Sequence, residues 1–450
     1  MDSARQFDIP GGLKISVPAN PSLMTTFILE ERGDWFENEI RFVRSRLRPG
    51  MAVVDIGANY GLYTLCCARS VGPEGRVWAY EPASLPRGCL AQSVALNRLP
   101  QVHISGAALS DHCGSARLGI ASNAELNRLD ASSTHYETVP LTMIDAEAAN
   151  WDRPIDFVKI DAEGEEMHIL SGASRFLAGN DPLLMLEYHL AEADNPALVA
   201  ALGALGMSIY RYLPALDVLV PLSLAPSIPC LLNIFACRPA RAARLAAAGT
   251  LVDAVAVAPA GGTACFTEWF VSRPWSRAFA PGLAARAGQP LAAALDDALN
   301  GEDEHLTTAV RLAYKQRALG ALKSLVNQRT TLPRLLSASR LAMDLAEQDL
   351  SVAYLQEAVR QIAAAGSDIL AVVDEPFLPP DCLHDALGEA GTPKQILSIM
   401  ADEALLERST FSIYYAGRKA LPVLLRIASN PLRSASSERR LTAARRILPV

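Results

Sequence analysis

None of the eight cysteines forms a C-x-x-C pair, and no histidine stands at ligand spacing beside one. That argues against a zinc site. Eight cysteines in 450 residues are also too sparse for a disulfide scaffold, so reduced, mostly buried thiols in a cytoplasmic protein are expected. Basic charge is short as well. The net charge of −7 argues against general affinity for nucleic acid. The one basic cluster, Arg433, Arg439, Arg440, Arg445 and Arg446, reads as a solvated helix face. The opening MDSARQFDIPGG has no basic-then-apolar signal pattern. The most apolar window, residues 245–260, is broken by Gly249, Thr250 and Asp253 and is too short to span a bilayer. No metal centre, nucleic-acid partner or transmembrane segment is therefore expected. Half the residues are hydrophobic and a fifth are charged, which suits a globular chain of two or three domains.

From about residue 50 to 240, short apolar runs alternate with helical patterns. Strands are expected at 52–56, 76–80, 102–107, 156–161 and 183–187, and two more at 207–212 and 231–237. Helices are expected at 60–70, 84–97, 165–177 and near 196–205. Such alternation implies an α/β domain whose mostly parallel sheet is covered on both faces, and the unbroken run LLMLE fits a strand buried on both sides. Leu62, Leu65, Cys66 and Arg69 make one helix stripe, and Met167, Leu170, Ala173 and Leu177 make another. Ahead of the sheet, LKISVP reads as a strand and residues 35–47 as an amphipathic helix over the sheet edge or a cofactor mouth. Residues 1–50 thus form a cap on the substrate side, residues 51–240 the cofactor domain, and residues 241–450 an all-α domain rich in alanine and leucine. Within the last, residues 335–362 read as two antiparallel helices around a turn at 347–349, one repeat-like unit, and DEPFLPPD at 374–381 as a loop. This half suits packing or homo-oligomer formation, or else docking of substrate or partner.

VVDIGANYGLYT, residues 53–64, carries the cofactor signal. A dinucleotide site would need G-x-G-x-x-G to bring backbone against a pyrophosphate. Here Gly57-Ala58-Asn59-Tyr60-Gly61 lacks the middle glycine, and Asp55 precedes it. An acid is awkward beside a pyrophosphate but useful beside the ammonium group of S-adenosylmethionine. Asn59 and Tyr60 then fall beneath the methionine end. Glu81, 26 residues on and ending RVWAYEP, can accept both ribose hydroxyls. In GAALSD, residues 106–111, a backbone amide near Ala108 or the Asp111 carboxylate can meet the adenine edge. Asp111 reads equally as a turn residue before Gly114.

DFVKIDAEGEEMHILSGA, residues 156–173, carries the reacting end. Asp161 and Glu163 stand at a strand's C-terminal end, where open α/β sheets bind ligands. Glu165 and Glu166 suit the following helix N-terminus. Lys159 sits inside an apolar strand and needs a partner, such as a carboxylate on a neighbouring strand. Glu187 and His189 reach the same edge, and a histidine there could take a hydroxyl proton or be merely hydrogen-bonded in a loop. Asp161 with Glu187 could hold a divalent metal, which the sequence does not favour. His168 reads as solvated.

VVDIGANYGLYT, the glutamate of WAYEP, GAALSD and VKIDAEGEEMHILSGA together resemble the FkbM family of S-adenosylmethionine-dependent methyltransferases, over roughly residues 20–240. Phe36–Glu37 in DWFENE matches an aromatic-then-Glu feature of that family. The resemblance implies a Rossmann-like class I methyltransferase fold, with a seven-stranded sheet whose last strand is antiparallel. It also implies O-methylation of a sugar, glycan, glycolipid or polyketide-like hydroxyl. Asp55, Gly57, Asn59, Gly61 and Glu81 would hold the cofactor, with Asp161 and Glu163 at its junction with the acceptor. Ala162 and Glu166 depart from the family pattern without touching the cofactor positions. The competing readings are a non-enzymatic docking module on a methyltransferase-like domain, and an NAD-dependent oxidoreductase, which the missing glycine disfavours.

Overall fold

The computed structural model describes residues 4–188, 195–222, 231–253, 256–366, 368–388 and 391–448. They gather into two compact units, the first running to Leu251 and the second from Val252 onward. Among the described residues no helix is long and apolar enough to cross a membrane.

The first unit opens with a hairpin, β1 (Ala4–Ile9) and β2 (Leu13–Pro18), and two helices, α1 (Met24–Arg32) and α2 (Glu39–Arg46). Then come β3 (Ala52–Ile56), α3 (Leu62–Val71), β4 (Arg76–Tyr80), α4 (Ser84–Leu96) and β5 (Val102–Ser105). A small four-stranded sheet follows, of β6 (Ala108–Leu109), β7 (Gly114–Gly119), β8 (Arg128–Leu129) and β9 (Tyr136–Thr142). The chain returns through α5 (Ile144–Glu147), β10 (Phe157–Ile160), α6 (Glu166–Ser171), α7 (Ser174–Gly179), β11 (Leu183–Glu187) and α8 (Asn195–Ala204). It ends with β12 (Ser208–Leu213), β13 (Val218–Pro221), β14 (Asn233–Cys237) and α9 (Pro239–Ala247).

The main sheet runs β13-β12-β14-β11-β10-β3-β4-β5. Strands β11, β10, β3, β4 and β5 are mutually parallel, and β14 is antiparallel to both its neighbours. This is the expected sheet with one strand more. The eighth, β13, pairs antiparallel with β12 across a turn that Asp217 enters at φ 50°. Its four residues are too few for their pattern to be read against the prolines that follow. The helix expected over 165–177 is two helices, α6 and α7, which part at Gly172–Ala173. The 108–142 sheet was not expected at all.

Side chains alternate across the pleat, so each face has its own core. Val53, Phe157, Leu183, Met185 and Phe235 face the hairpin, α2 and α3. Val54, Val158, Ile160, Leu184 and Ile234 face Ile169, Phe176, Leu198 and Leu202 of α6, α7 and α8. Helix α2 therefore covers a sheet face rather than an edge. Its Phe42 ring lies 4.7 Å from Phe235 and 5.5 Å from Tyr212.

The second unit is helical: α10 (Phe266–Ser272), α11 (Gln289–Asn300), α12 (Thr308–Gln328), α13 (Leu332–Asp344), α14 (Gln348–Ala365), α15 (Pro393–Ser409), α16 (Ile413–Ala416), α17 (Leu421–Ser429) and α18 (Ala435–Ala444). From α11 to α15 each helix packs on the next. The α13–α14 pair is the antiparallel hairpin read from residues 335–362. Lys315 of α12 is fully buried and bonds Glu302 at 2.6 Å and Asp344 at 2.7 Å.

Candidate active site

Gly57 turns the chain after β3 at φ 74°. A Cβ there would lie 1.7 Å from the Asp161 carbonyl oxygen, so only glycine lets the turn pass under the end of β10. The N–H groups of Gly57 and Ala58 both donate to the Tyr80 carbonyl at 3.0 Å. Asn59 takes a left-handed φ of 48°, and its N–H donates to Glu81 Oε2 at 2.7 Å. Glu81 Oε1 accepts the Ala83 N–H at 2.8 Å. The glutamate at the end of β4 therefore braces the loop. Burial raises its pKa to about 7 against the pull of those two bonds. A carboxylate has about four acceptor sites, so room remains for ribose hydroxyls. Gly61, at φ 96°, starts α3.

Asp55 is the fourth residue of β3, and its side chain is wholly buried. Its Oδ2 accepts the Thr64 hydroxyl, while Oδ1 has no hydrogen-bond partner and lies 3.9 Å from Lys159 Nζ. Burial raises the Asp55 pKa, and Lys159 opposes it. The Tyr60 ring packs into the core, where burial raises its pKa. Asp111 is exposed and its carboxylate pairs with His112 Nδ1 at 2.6 Å, just before the turn to Gly114. Ala58 and Ala108 are buried in small apolar clusters.

The residues fit S-adenosylmethionine on one structural count. Two buried acceptors, Asp55 Oδ1 and Asn59 Oδ1, have no donor. A ligand bearing an ammonium group would supply one.

The reacting edge follows from the pleat. Lys159 is in register with Asp55 on one side and Met185 on the other. Two residues on, across the same face, stand Asp161 and Glu187, and Glu187 is in register with Asn233. Lys159 Nζ donates to Asp161 Oδ2 at 2.8 Å and lies 5.1 Å from the centre of the Tyr63 ring. Burial alone would lower the lysine's pKa, but Asp161 and Asp55 outweigh it and keep the ammonium charged. Lys159 thus has the carboxylate partner its place in an apolar strand required. Glu163 and Gly164 both take left-handed φ, 51° and 100°, turning the chain before α6. For a glutamate that is a strained position of the kind that clusters at functional sites.

Carboxylate oxygens of Asp161, Glu163 and Glu187 all come within 4.8 Å of one another. His189 lies outside the described residues, as does Cys230. Glu165 accepts the Ser110 hydroxyl at 2.9 Å, and Glu166 accepts the Ala162 N–H at 2.9 Å, so both serve the start of α6. His168 is exposed, 3.1 Å from Glu165.

Sequence reasoning gave no role at this edge to Glu37, Glu39 or Asn233. Glu37, just ahead of α2, accepts the Tyr63 hydroxyl at 2.7 Å and the Asn233 amide at 3.1 Å, both on Oε2. Burial and the negative charge of Asp161 raise its pKa. Glu39 is pushed up to about 8 by burial and by Glu37. The available signal was Glu37 and Glu39 in DWFENE, of which only Glu37 was noted, through a family likeness.

A glycine turn after the central strand, an acid ending the next strand and carboxylates on the following strand ends define an S-adenosylmethionine-dependent methyltransferase domain. Residues 55–209 match the family model described as Methyltransferase FkbM domain. The match covers about a third of the chain and stops short of the helical unit. Among solved structures the chain is similar to the methyltransferase FkbM from Methylobacillus flagellatus KT, at 16% identity over 43% of this chain and 44% of that one, with a TM-score of 0.31. It thus spans under half of that protein's length. It is also similar to an S-adenosylmethionine-dependent O-methyltransferase from Thermotoga maritima, at 13% identity over 52% and 77% of the two chains and TM-score 0.28. A third is the fibrillarin of Aeropyrum pernix, solved with natively bound S-adenosyl-L-methionine, at 10% identity over 53% and 100% and TM-score 0.27. No curated protein sequence matches the chain.

Proposed function

We propose that the protein is an O-methyltransferase, which moves a methyl group from S-adenosylmethionine to a hydroxyl of a sugar, glycan, glycolipid or polyketide-like acceptor. The observation that carries the reading is the carboxylate edge of Asp161, Glu163 and Glu187, tied to the cofactor loop where Gly57 packs under Asp161. Asp55, Gly57, Ala58, Asn59, Tyr60, Gly61, Glu81, Ala108 and Asp111 form the cofactor side in this proposal, some through backbone only. Bound S-adenosylmethionine supplies an electrophilic sulfonium methyl. The chain's own task is to hold an acceptor oxygen in line at about 3 Å and to remove its proton. Asp161, Glu163, Glu187 and His189 are the proposed acceptor-side groups. Lys159 already gives Asp161 a cation, which favours proton removal by the protein over a divalent metal.

Titration calorimetry with S-adenosylmethionine tests the cofactor side. Binding is expected for the full chain and is lost in Asp55→Ala and Glu81→Ala. Normal binding by both variants would sink the assignment. A mass-spectrometric search of cell extract for a product heavier by one CH₂ identifies the acceptor, and a chelator should leave that transfer unchanged. We also propose that the helical unit docks a partner or substrate or carries a homo-oligomer contact, and that the protein is cytoplasmic. Support for the last is that seven cysteines, Cys66, Cys67, Cys89, Cys113, Cys237, Cys265 and Cys382, are all free.

A further inference from the structure

We propose that Glu37 is the general base of the transfer, taking the acceptor's hydroxyl proton as that oxygen attacks the methyl. The inference deepens the O-methylation reading and rests on it. The position comes first. Glu37 is delivered from the segment ahead of α2 onto the sheet face that carries Asp55, Lys159, Asp161, Glu187 and Asn233. Its contacts fix it there. Tyr63 of α3 and Asn233 of β14 both donate to Oε2. A carboxylate has about four acceptor sites, so two donors orient the group and leave it lone pairs for a proton. Both donors are uncharged, which leaves the carboxylate basic. Asp161, by contrast, is held at 2.8 Å by the Lys159 ammonium, so its Oδ2 is already engaged.

The charged and titratable groups facing Glu37 are Asp161 and Lys159 from β10 and its end, Tyr63 from α3 and Glu39 from α2. Burial and Asp161 raise its pKa, while Tyr63, Lys159 and Trp35 oppose the rise. A base whose pKa lies nearer the working pH transfers protons more effectively. The step balances. The acceptor O–H breaks as the O–CH₃ bond forms, the C–S bond breaks, and its electron pair stays on sulfur as a neutral thioether. The proton ends on Glu37, whose negative charge and the sulfonium's positive charge cancel.

The test uses the full chain, S-[methyl-³H]adenosylmethionine and the glycan and glycolipid fraction of a cell extract as acceptor pool. Glu37→Gln keeps calorimetric cofactor binding within about threefold and loses about 100-fold or more in label transfer, the usual weight of a general base. Tyr63→Phe keeps the base but removes a bond to its charged form, so the acid limb of the pH–rate profile moves to higher pH. A merely structural Tyr63–Glu37 contact would leave that limb in place. Glu37→Gln transfer within tenfold of wild type, or an unmoved limb in Tyr63→Phe, overturns the assignment of the base alone. A wild-type chain that labels no hydroxyl acceptor overturns the O-methylation reading, and the base with it. If Glu37→Gln does not fold, the position of the Tyr63→Phe limb decides.

Discussion

The glycines of the cofactor loop allow a prediction with a worked magnitude. Gly57 and Gly61 both have positive φ, 74° and 96°, and an L residue there costs about 1–2 kcal/mol from its Cβ against the backbone. What an added methyl meets then separates them. At Gly61 the Cβ comes 2.4 Å from Leu90 Cδ1, the tip of a side chain that can turn aside. At Gly57 it comes 1.7 Å from the Asp161 carbonyl oxygen, which is backbone at the end of a central strand. That oxygen must retreat by more than an ångström before the contact is one that real Cβ atoms make. Overpacking adds about 1–3 kcal/mol, so Gly57→Ala should lose about 2–5 kcal/mol and Gly61→Ala about half as much. Moving Asp161 by this distance displaces the proposed acceptor edge, and a 1 Å misplacement can cost about 100-fold in rate. Equilibrium urea denaturation gives the stabilities, and calorimetry and methyl-label transfer give binding and rate. Equal losses in the two variants would refute the reasoning, because they would mean that left-handed strain alone matters and that Gly57 does not couple loop and edge.

Lys159→Met removes the only cation bonded to Asp161 among the described contacts and the one nearest Asp55. Breaking a buried ion pair by removing one partner costs about 3–5 kcal/mol, and denaturation at pH 7 should show it. The deficit should shrink as pH falls, because the stranded carboxyls take up protons. Glu39 has a folded pKa of about 8 against an ordinary 4.5. Its contribution to stability is therefore full below 4.5 and is lost as pH rises through about 8. Urea midpoints should fall between pH 6 and pH 9, and Glu39→Gln should flatten the decline. Glu81, with a pKa of about 7, must ionise to accept ribose hydroxyls well. S-adenosylmethionine affinity measured by calorimetry should accordingly rise with pH through about 7, and Glu81→Gln should lose that dependence.

The strands at 52–56, 76–80 and 183–187 were legible to the residue, because each is an apolar run closed by a turn or a charged residue. The 108–142 sheet was not. GSARLG buries only Leu118, and YETVPLT buries only Val139 and Leu141 with Pro140 between them, so the apolar alternation is too short to mark a strand. Nor was β13, four residues joined to its partner by a short turn.

The site divides along the same physical line. Its acids at strand ends lie in continuous motifs and could be read locally. Glu37 and Asn233 are 196 positions apart and meet at 3.1 Å, which no linear pattern announces. What joins them is parity. Asp55 on β3, Lys159 and Asp161 along β10, Glu187 on β11 and Asn233 on β14 all point to one face, because side chains alternate with period two and the register pairs Asp55 with Lys159 and Glu187 with Asn233. That face is the one α2 and α3 cover, so the residue just ahead of α2 and the tyrosine of α3 close the cluster. A one-residue slip of β14 against β11 would turn Asn233 to the opposite core and leave Glu37 without one of its donors. The alternation of strands and helices announced a mostly parallel sheet, but the chemistry of this edge depends on register, which is set by the whole sheet.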